Sequence, residues 1–187
     1  MSYMTEYKNS ALQLLNDYKV GSSFFFASPT RTILAEGEFT TVKHCEIESF
    51  PELVQAVLGN AKQAGNPNPI VVGALPFDRR KEVQLIVPEY SRISERLQLD
   101  TTNQFETNEN VTFEMTPMPY PEVYLNGVKQ GIEKIQDGDL KKIVLSRSLD
   151  VKSSEKIDKQ KLLRELAEHN KHGYTFAVNL PKDEKEN

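Results

Sequence analysis

The chain has 187 residues, of which 38% are hydrophobic and 27% are charged, a size and composition typical of one globular domain and not of a disordered polypeptide. Lys and Arg number 23 against 27 Asp and Glu, which gives a formal net charge of -4. Because the phosphate backbone of nucleic acids requires a basic face, this balance argues against non-specific nucleic-acid binding. A small anionic substrate needs only a local basic cluster and stays compatible with the sequence.

The cysteine content and the apolar pattern bear on the cellular compartment. The single cysteine, Cys45, rules out an internal disulfide and a multi-cysteine zinc site, and we interpret it as an ordinary core or surface residue. The first residues show no basic region followed by an apolar run, and no stretch approaches the ~20 apolar residues that span a bilayer. We therefore expect a cytoplasmic protein.

The first part of the chain predicts a helix followed by a β-hairpin. Apolar residues recur at three- and four-residue spacing from Thr5 to Lys19, the pattern of an amphipathic helix. The runs Ser23–Ala27 and Arg31–Glu36 are strand-like and flank the turn signal Ser28-Pro29-Thr30. A further turn leads into a short extended run at 39–42.

A second helix is predicted to begin at Ser49. Glu52 follows three residues later, which is the signature of a capping box, and Pro51 lies in the first turn. Gly65 is well placed to end this helix.

The middle of the chain predicts two strands and a linker. The strands cover residues 70–75 and 83–87, and the adjacent Arg79 and Arg80 between them are interpreted as part of a solvated hairpin tip. Residues of about 98–119 are predicted as a polar loop or linker, because they begin with a run of Thr, Asn, Gln and Glu that has almost no apolar period and end in closely spaced prolines.

A third helix is predicted just before the most informative stretch of the sequence. Its apolar face comprises Tyr124, Val128, Ile132 and Ile135, and Gly138 ends it. The turn that follows leads directly into Lys141-Lys142-Ile143-Val144-Leu145-Ser146-Arg147.

That stretch places a lysine before three branched apolar residues, a run typical of a strand buried in a packed core. Strand alternation would place Lys142, Val144 and Ser146 on one face, and Lys141, Ile143, Leu145 and Arg147 on the other. Desolvation lowers the pKa of a lysine and favours the neutral amine, which is a base. The alternative interpretation, which is the commoner one for this residue type, is a lysine with its stem on the core and its head in water.

The last part of the chain predicts a helix capped by Asp158 and a strand over Tyr174–Leu180, followed by a charged tail. His169 and His172 lie three residues apart near the end of this helix. We do not assign them to a metal, because no third ligand lies nearby in the sequence and a C-terminal histidine also complements the helix dipole.

The motif Lys142–Arg147, KIVLSR, resembles the lysine-bearing strand of the chorismate-utilising enzymes, and most closely that of the isochorismate synthases of siderophore biosynthesis. The likeness covers nearly the whole chain. Its other parts are the helix positions named above with Asp139, the residues Phe24-Phe25-Phe26, Ser28-Pro29 and Arg31, the run Gly73–Asp78, and the run Tyr174–Val178.

The resemblance implies a fold class. We expect an α/β (α+β) fold in which residues 1–187 form the N-terminal half of the chorismate-utilising enzyme fold, a mostly antiparallel sheet flanked by helices. Members of the family are about twice this length and pack sheets from both halves face to face. This portion alone is therefore expected to leave sheet edges unpaired and an apolar face uncovered.

The resemblance also implies a reaction: isomerisation of chorismate to isochorismate by addition of water and loss of the C4 hydroxyl. Lys142 is the catalytic base by this likeness, and a lysine there favours water over ammonia as the nucleophile. The family's acid and its Mg2+ ligands would fall beyond Asn187, so Lys142 is the only site residue that we carry over and no metal ligand is assigned. Asp183, Glu184 and Glu186 are not substitutes, since they lie in the charged tail.

The implied partners are chorismate as substrate and a missing C-terminal half, with neither nucleic acid nor membrane. Two alternatives stay open at this stage. The chain could be a non-catalytic fragment or partner-binding half, or it could derive from a salicylate synthase or from an isochorismate synthase of the menaquinone branch.

Overall fold

The structure of the chain, a computed structural model, describes residues 10–42, 49–78, 83–99 and 111–180. Within these ranges the helices are α1 (Ala11–Asp17), α2 (Phe50–Gln63), α3 (Pro121–Gln136) and α4 (Lys159–His169). The strands are β1 (Ser23–Ala27), β2 (Arg31–Glu36), β3 (Thr40–Thr41), β4 (Val72–Ala74), β5 (Gln84–Val87), β6 (Tyr90–Glu95), β7 (Phe113–Met118), β8 (Ser148–Ser153) and β9 (Thr175–Ala177). In the described part of the chain, no helix is long and apolar enough to cross a membrane.

The chain divides into two compact units. The first unit comprises residues 1–104 and 158–187, and the second comprises residues 105–157. Every strand pairing in the described ranges is antiparallel. The α/β class with antiparallel sheets flanked by helices is therefore confirmed.

The first unit is built on a four-stranded sheet with the order β6-β2-β1-β9. The hairpin of β1 and β2 has the bounds that the sequence predicted, and its register pairs Phe25 with Leu34. Alternation in β1 directs Ser23, Phe25 and Ala27 to one buried face. Helices α1 and α4 contribute to the core on this face, whose buried residues are Leu14, Leu15, Tyr18, Phe25, Ala27, Leu34 and Leu163.

The helix ends bear on two sequence predictions. Helix α1 begins at Ala11, because Ser10 is extended and its hydroxyl accepts a hydrogen bond from the backbone amide of Gln13; the part of the predicted helix before Ser10 lies outside the described residues. Helix α2 begins beside Ser49 as expected, yet Ser49 is helical in conformation and makes no side-chain cap hydrogen bond, so the predicted capping box is wrong.

Three other termini follow the predictions. Gly65 has φ +101 after the C-cap of α2, which only glycine adopts readily. The carboxylate of Asp158 accepts hydrogen bonds from the backbone amides of Gln160 and Lys161, with both N···O distances at 3.0 Å, and so caps α4 as expected. The predicted last strand is present in a shorter form, as β9.

A second, three-stranded sheet in this unit has the order β3-β5-β4. The two strands predicted for this part of the chain are present in shorter form, as β4 and β5. Gly73 has φ +140, and a Cβ there would collide with the carbonyl oxygen of Gln84, so the close approach of these strands depends on a glycine. The predictions for Cys45, Arg79 and Arg80 lie outside the described residues.

Strand β6 was not predicted from the sequence. Its partner is β2, with Ile33 opposite Ile93. The Arg92 guanidinium donates to Asp17 at 2.6 Å and to Glu36 at 3.2 Å, which joins this edge strand to α1 and β2. The three groups are far apart in sequence, so no local pattern indicates their contact.

The second unit contains α3 and a two-stranded ribbon of β7 and β8. Strand β7 occupies part of the segment 98–119, so the linker prediction is corrected there; residues 100–110 of that segment lie outside the described ranges. The ribbon pairs Met115 with Val151, and a strand stabilised by so distant a partner has little local signal.

Asp17 gives a pH-dependent prediction. The hydrogen bond from Arg92 holds the pKa of this carboxyl below its ordinary value of 3.8. A depressed carboxyl pKa means that the stabilisation is present above the ordinary value and is lost as the pH falls through the lower, folded-state value. Replacing Asp17 by Asn should lower the free energy of unfolding at neutral pH by less than about 1 kcal/mol, since the pair is partly exposed.

The measurement is urea unfolding of the unmodified chain and of Asp17→Asn at several pH values. The difference between the two should shrink towards zero as the pH drops well below 3.8. A difference that does not vary with pH would contradict the role of the carboxylate charge.

Candidate functional site

The turn before Lys142 is fixed by backbone hydrogen bonds at the end of α3. The amides of Asp137, Gly138 and Leu140 donate to the carbonyls of Glu133, Ile135 and Lys134, at 2.9, 3.2 and 3.1 Å. Gly138 has φ +81, a left-handed conformation that ends the helix as the sequence predicted. Lys142 thus lies four residues beyond Gly138, the glycine that follows the end of α3.

An ion pair adds to this turn. The ammonium of Lys134 lies 2.8 Å from the carboxylate of Asp139. Both side chains are more than half exposed, so the contribution of the pair to stability is small.

The predicted buried strand at 141–147 is wrong for the described chain. Residues 142–147 form no ladder with any residue that the structure describes, and β8 begins only at Ser148. Lys142 is exposed, and the exposed fraction of Val144 is 77%. Among the described residues the segment has no neighbouring strand that pairs with its backbone, and Lys142 is not covered, so the described residues do not provide the predicted desolvation of Lys142.

The predicted alternation of this segment agrees with its contacts. The odd-numbered side chains face α3: Ile143 and Leu145 approach Gly131, and the guanidinium of Arg147 lies 5.6 Å from the ring centroid of Tyr124. This is a cation–π distance. By this alternation Lys142 lies on the other face of the segment, together with Val144 and Ser146.

Gly131 is a contributor to the site that the sequence analysis missed. It is the one fully buried residue of the described part of α3, and a Cβ built on it would lie 3.2 Å from Cγ2 of Ile143. The absence of a side chain lets the segment lie close to the helix axis. The signal was present as two glycines four residues apart, Gly127 and Gly131, beside the apolar positions of α3.

The described residues do not fit a metal site. They contain no group of three His, Cys, Asp or Glu side chains arranged to hold a metal ion. Nδ1 of His169 lies 2.8 Å from the carbonyl oxygen of Glu165 in its own helix. Magnesium coordination is therefore not assigned to the described residues.

A cavity of about 300 Å³ lies beside the end of α4. Polar groups beside it form hydrogen bonds within the protein. The Arg96 guanidinium donates to the carbonyl of Lys171, and the side-chain amide of Asn170 donates to the carbonyl of Tyr174 and to the hydroxyl of Thr175. These contacts close the end of α4 onto β9, and we assign them a structural role.

Comparison with known families decides the relationship. Residues 66–185 match the family model described as chorismate binding enzyme, and this range includes α3, Lys142 and β8. The chain belongs to the chorismate-binding enzyme family.

Relatives within this family carry a specific name. The chain is 45% identical over 181 residues to isochorismate synthase DhbC of Bacillus subtilis, and 28% identical over 184 residues to the vibriobactin-specific isochorismate synthase of Vibrio cholerae. These matches cover 95% and 96% of this chain.

A solved structure agrees with these relatives. The structure of a protein from Bacillus anthracis, described as a 2,3-dihydroxybenzoate-specific isochorismate synthase, DhbC, is 84% identical and superposes with a TM-score of 0.78 over 93% of this chain.

The chain spans less than half the length of these family members. It covers 45% of each of the two curated relatives and 44% of the chain in the solved structure. More than half of each relative therefore has no counterpart in this sequence.

The two glycines of α3 give a matched pair of variants. Gly127→Ala should raise the free energy of unfolding by about 0.5–1 kcal/mol, since alanine is the better helix former and its Cβ meets no atom within 4 Å. Gly131→Ala should gain less or lose stability, because Ile143 must move away from the new methyl group. Urea unfolding followed by circular dichroism compares the two, and equal gains would contradict the close packing at Gly131.

Proposed function

We propose that this chain is part of an isochorismate synthase that converts chorismate to isochorismate for 2,3-dihydroxybenzoate and catecholate siderophore biosynthesis. The observation that carries the proposal is the 84% identity, over 93% of this chain, to a protein described as a 2,3-dihydroxybenzoate-specific isochorismate synthase. The 45% identity to the Bacillus subtilis isochorismate synthase supports it.

Lys142 is the proposed general base. In this reaction water adds at one ring carbon of chorismate as the C4 hydroxyl departs, so one proton is taken from the attacking water and another is given to the leaving oxygen. The neutral amine of Lys142 accepts the first proton, a contribution of typically 10²–10⁴-fold. We assign the acid to no residue of this chain.

The geometry of the second unit supports this role for Lys142 over Lys141. The contacts of Ile143, Leu145 and Arg147 with α3 show which face of the segment is turned towards the helix. By alternation Lys142 lies on the opposite face, and both lysines are exposed, so the preference for Lys142 rests on the face and not on exposure. By the same alternation, Lys141 belongs to the set of residues that face α3.

The exposure of Lys142 indicates what else the proposed reaction requires. A neutral lysine at physiological pH requires desolvation or a nearby positive charge. Because Lys142 is exposed, we propose that a part of the enzyme outside the described residues covers it. That part is also the proposed location of the general acid and of the ligands of the family's magnesium ion.

A second candidate function is that of a non-catalytic, partner-binding half. Two observations favour it: the chain covers 45% of the Bacillus subtilis enzyme, and many large apolar side chains of the second unit are exposed. The two candidates are compatible if the chain acts as the half that carries the base. The names of the relatives reported above favour isochorismate over salicylate as the product.

The adjacent lysines allow a controlled test of the base. The chain is co-expressed with the portion of the Bacillus subtilis isochorismate synthase that has no counterpart in it, and conversion of chorismate to isochorismate is measured with magnesium present. Lys142→Ala should lower turnover by about 10²–10⁴-fold, whereas Lys141→Ala, which removes a neighbouring exposed lysine in the other register, should leave it within a few-fold.

Each of two results would contradict one part of the proposal. Turnover by the 187-residue chain alone that Lys142→Ala abolishes would support Lys142 as the base, but it would contradict the placement of the acid and of the metal ligands outside this chain. Turnover by the co-expressed pair that Lys142→Ala leaves unchanged would show that Lys142 is not the base.

A further inference from the structure

Helix α3 carries one stripe of less exposed residues, which we call the α3 stripe. It comprises Tyr124, Gly127, Val128 and Gly131, whereas the other positions of the helix are exposed. These four residues are separated by steps of three, one and three positions, so they lie on one face of the helix.

The segment 143–147 runs along the α3 stripe in the direction opposite to that of the helix. Ile143 lies beside Gly131, and the guanidinium of Arg147 lies 5.6 Å from the ring centroid of Tyr124. The helix rises about 10 Å between the two stripe positions, and an extended chain covers about 13 Å between the two segment positions. The two lengths are similar, so one nearly extended segment satisfies both contacts.

The contact of Arg147 with Tyr124 joins this segment and the start of the β-ribbon to α3. Strand β8 begins at Ser148, directly after Arg147, and its partner is β7 and not the helix. Among the described residues, Arg147 forms no ion pair. A planar guanidinium stacks on an aromatic face, so the contact restrains the direction of the arginine side chain as well as its distance from the helix.

We propose that Tyr124 is a positioning residue for Lys142 and acts through Arg147. The contact keeps the odd-numbered side chains of the segment on α3, and alternation then directs Lys142 to the other face. A general base must lie within about 2.6–3.2 Å of the atom that it deprotonates, and a misplacement of about 1 Å can lower the rate by about 10²-fold. The proposal rests on the proposed function, in which Lys142 is that base.

The test separates the ring of Tyr124 from its hydroxyl. Phe keeps the aromatic face that a cation contacts, whereas Leu keeps only apolar bulk. Turnover of chorismate is measured for the chain co-expressed with the portion of the Bacillus subtilis isochorismate synthase that has no counterpart in it. Tyr124→Leu should lower kcat by about tenfold or more with KM within about twofold, and Tyr124→Phe should keep kcat within about threefold of the unmodified pair.

Tyr120→Leu is the matched control. Tyr120 is the N-cap residue of α3, lies outside the α3 stripe and is 66% exposed. The same Tyr-to-Leu change at this surface position should leave kcat and KM within about twofold.

A double-mutant cycle tests whether Tyr124 acts through the lysine. In the Lys142→Ala background, adding Tyr124→Leu should change the residual turnover by less than about twofold, because a base that has been removed cannot be misplaced. An undiminished loss in that background would show a general structural effect and overturns the proposal. A raised KM with unchanged kcat in Tyr124→Leu would assign the contact to substrate binding and also overturns it.

Limited trypsin cleavage follows the segment without any turnover, since trypsin cleaves after Lys142 and Arg147. Release of the segment from α3 should make cleavage at these two positions about threefold or more faster in Tyr124→Leu than in Tyr124→Phe or Tyr120→Leu. Equal cleavage in the three variants overturns the positioning role whatever the turnover. Faster cleavage in Tyr124→Leu, in a pair that does not convert chorismate without the substitution, supports the restraint of the segment by Tyr124 and contradicts the proposed function.

Discussion

The first unit depends on the contact between one face of its four-stranded sheet and helices α1 and α4. Phe25 and Leu34 face each other across β1 and β2 and are covered by Leu14, Leu15 and Leu163. Burial of such side chains is worth about 1.5–3 kcal/mol each, which makes this cluster the main stabilising feature of the unit. The remaining contacts are secondary to it: the Arg92 ion pairs tie β6 to the rim of the cluster, and Asp158 fixes the start of α4.

The described residues of the second unit form no comparable core. Gly131 is its one fully buried residue among those described, and that residue has no side chain to contribute. Its order comes from local features, namely the helix end at Gly138, the packing of Ile143 and Leu145 on α3, and the pairing of β7 with β8. These features direct Ile143, Leu145 and Arg147 towards α3, but they remove little apolar surface from water.

This difference explains how much the sequence could predict. The β1–β2 hairpin, the glycine at the end of α3 and the Asp158 cap depend on residues close in sequence, and the structure has them where the patterns indicated. Strands β6 and β7 depend on partners that are distant in sequence, and no local pattern predicted them. For the candidate site, alternation predicted which side chains share a face, and three members of one set contact α3. The predicted burial of the segment is not found among the described residues, since burial is a property of the layers around a segment and not of the segment itself.

The environment of Lys142 leads to a further step. The proposed role of Lys142 as a base requires an apolar or cationic surrounding that keeps the amine neutral, and in the segment 142–147 two of the three branched apolar side chains are directed to α3. Val144 is the apolar residue left in the register of the lysine, and it is 77% exposed. The described residues of this segment therefore do not supply the surrounding that the proposed role of Lys142 requires. We expect activation of the lysine to depend on contacts from outside the segment, because desolvation comes from the groups packed around a side chain and not from its neighbours in sequence.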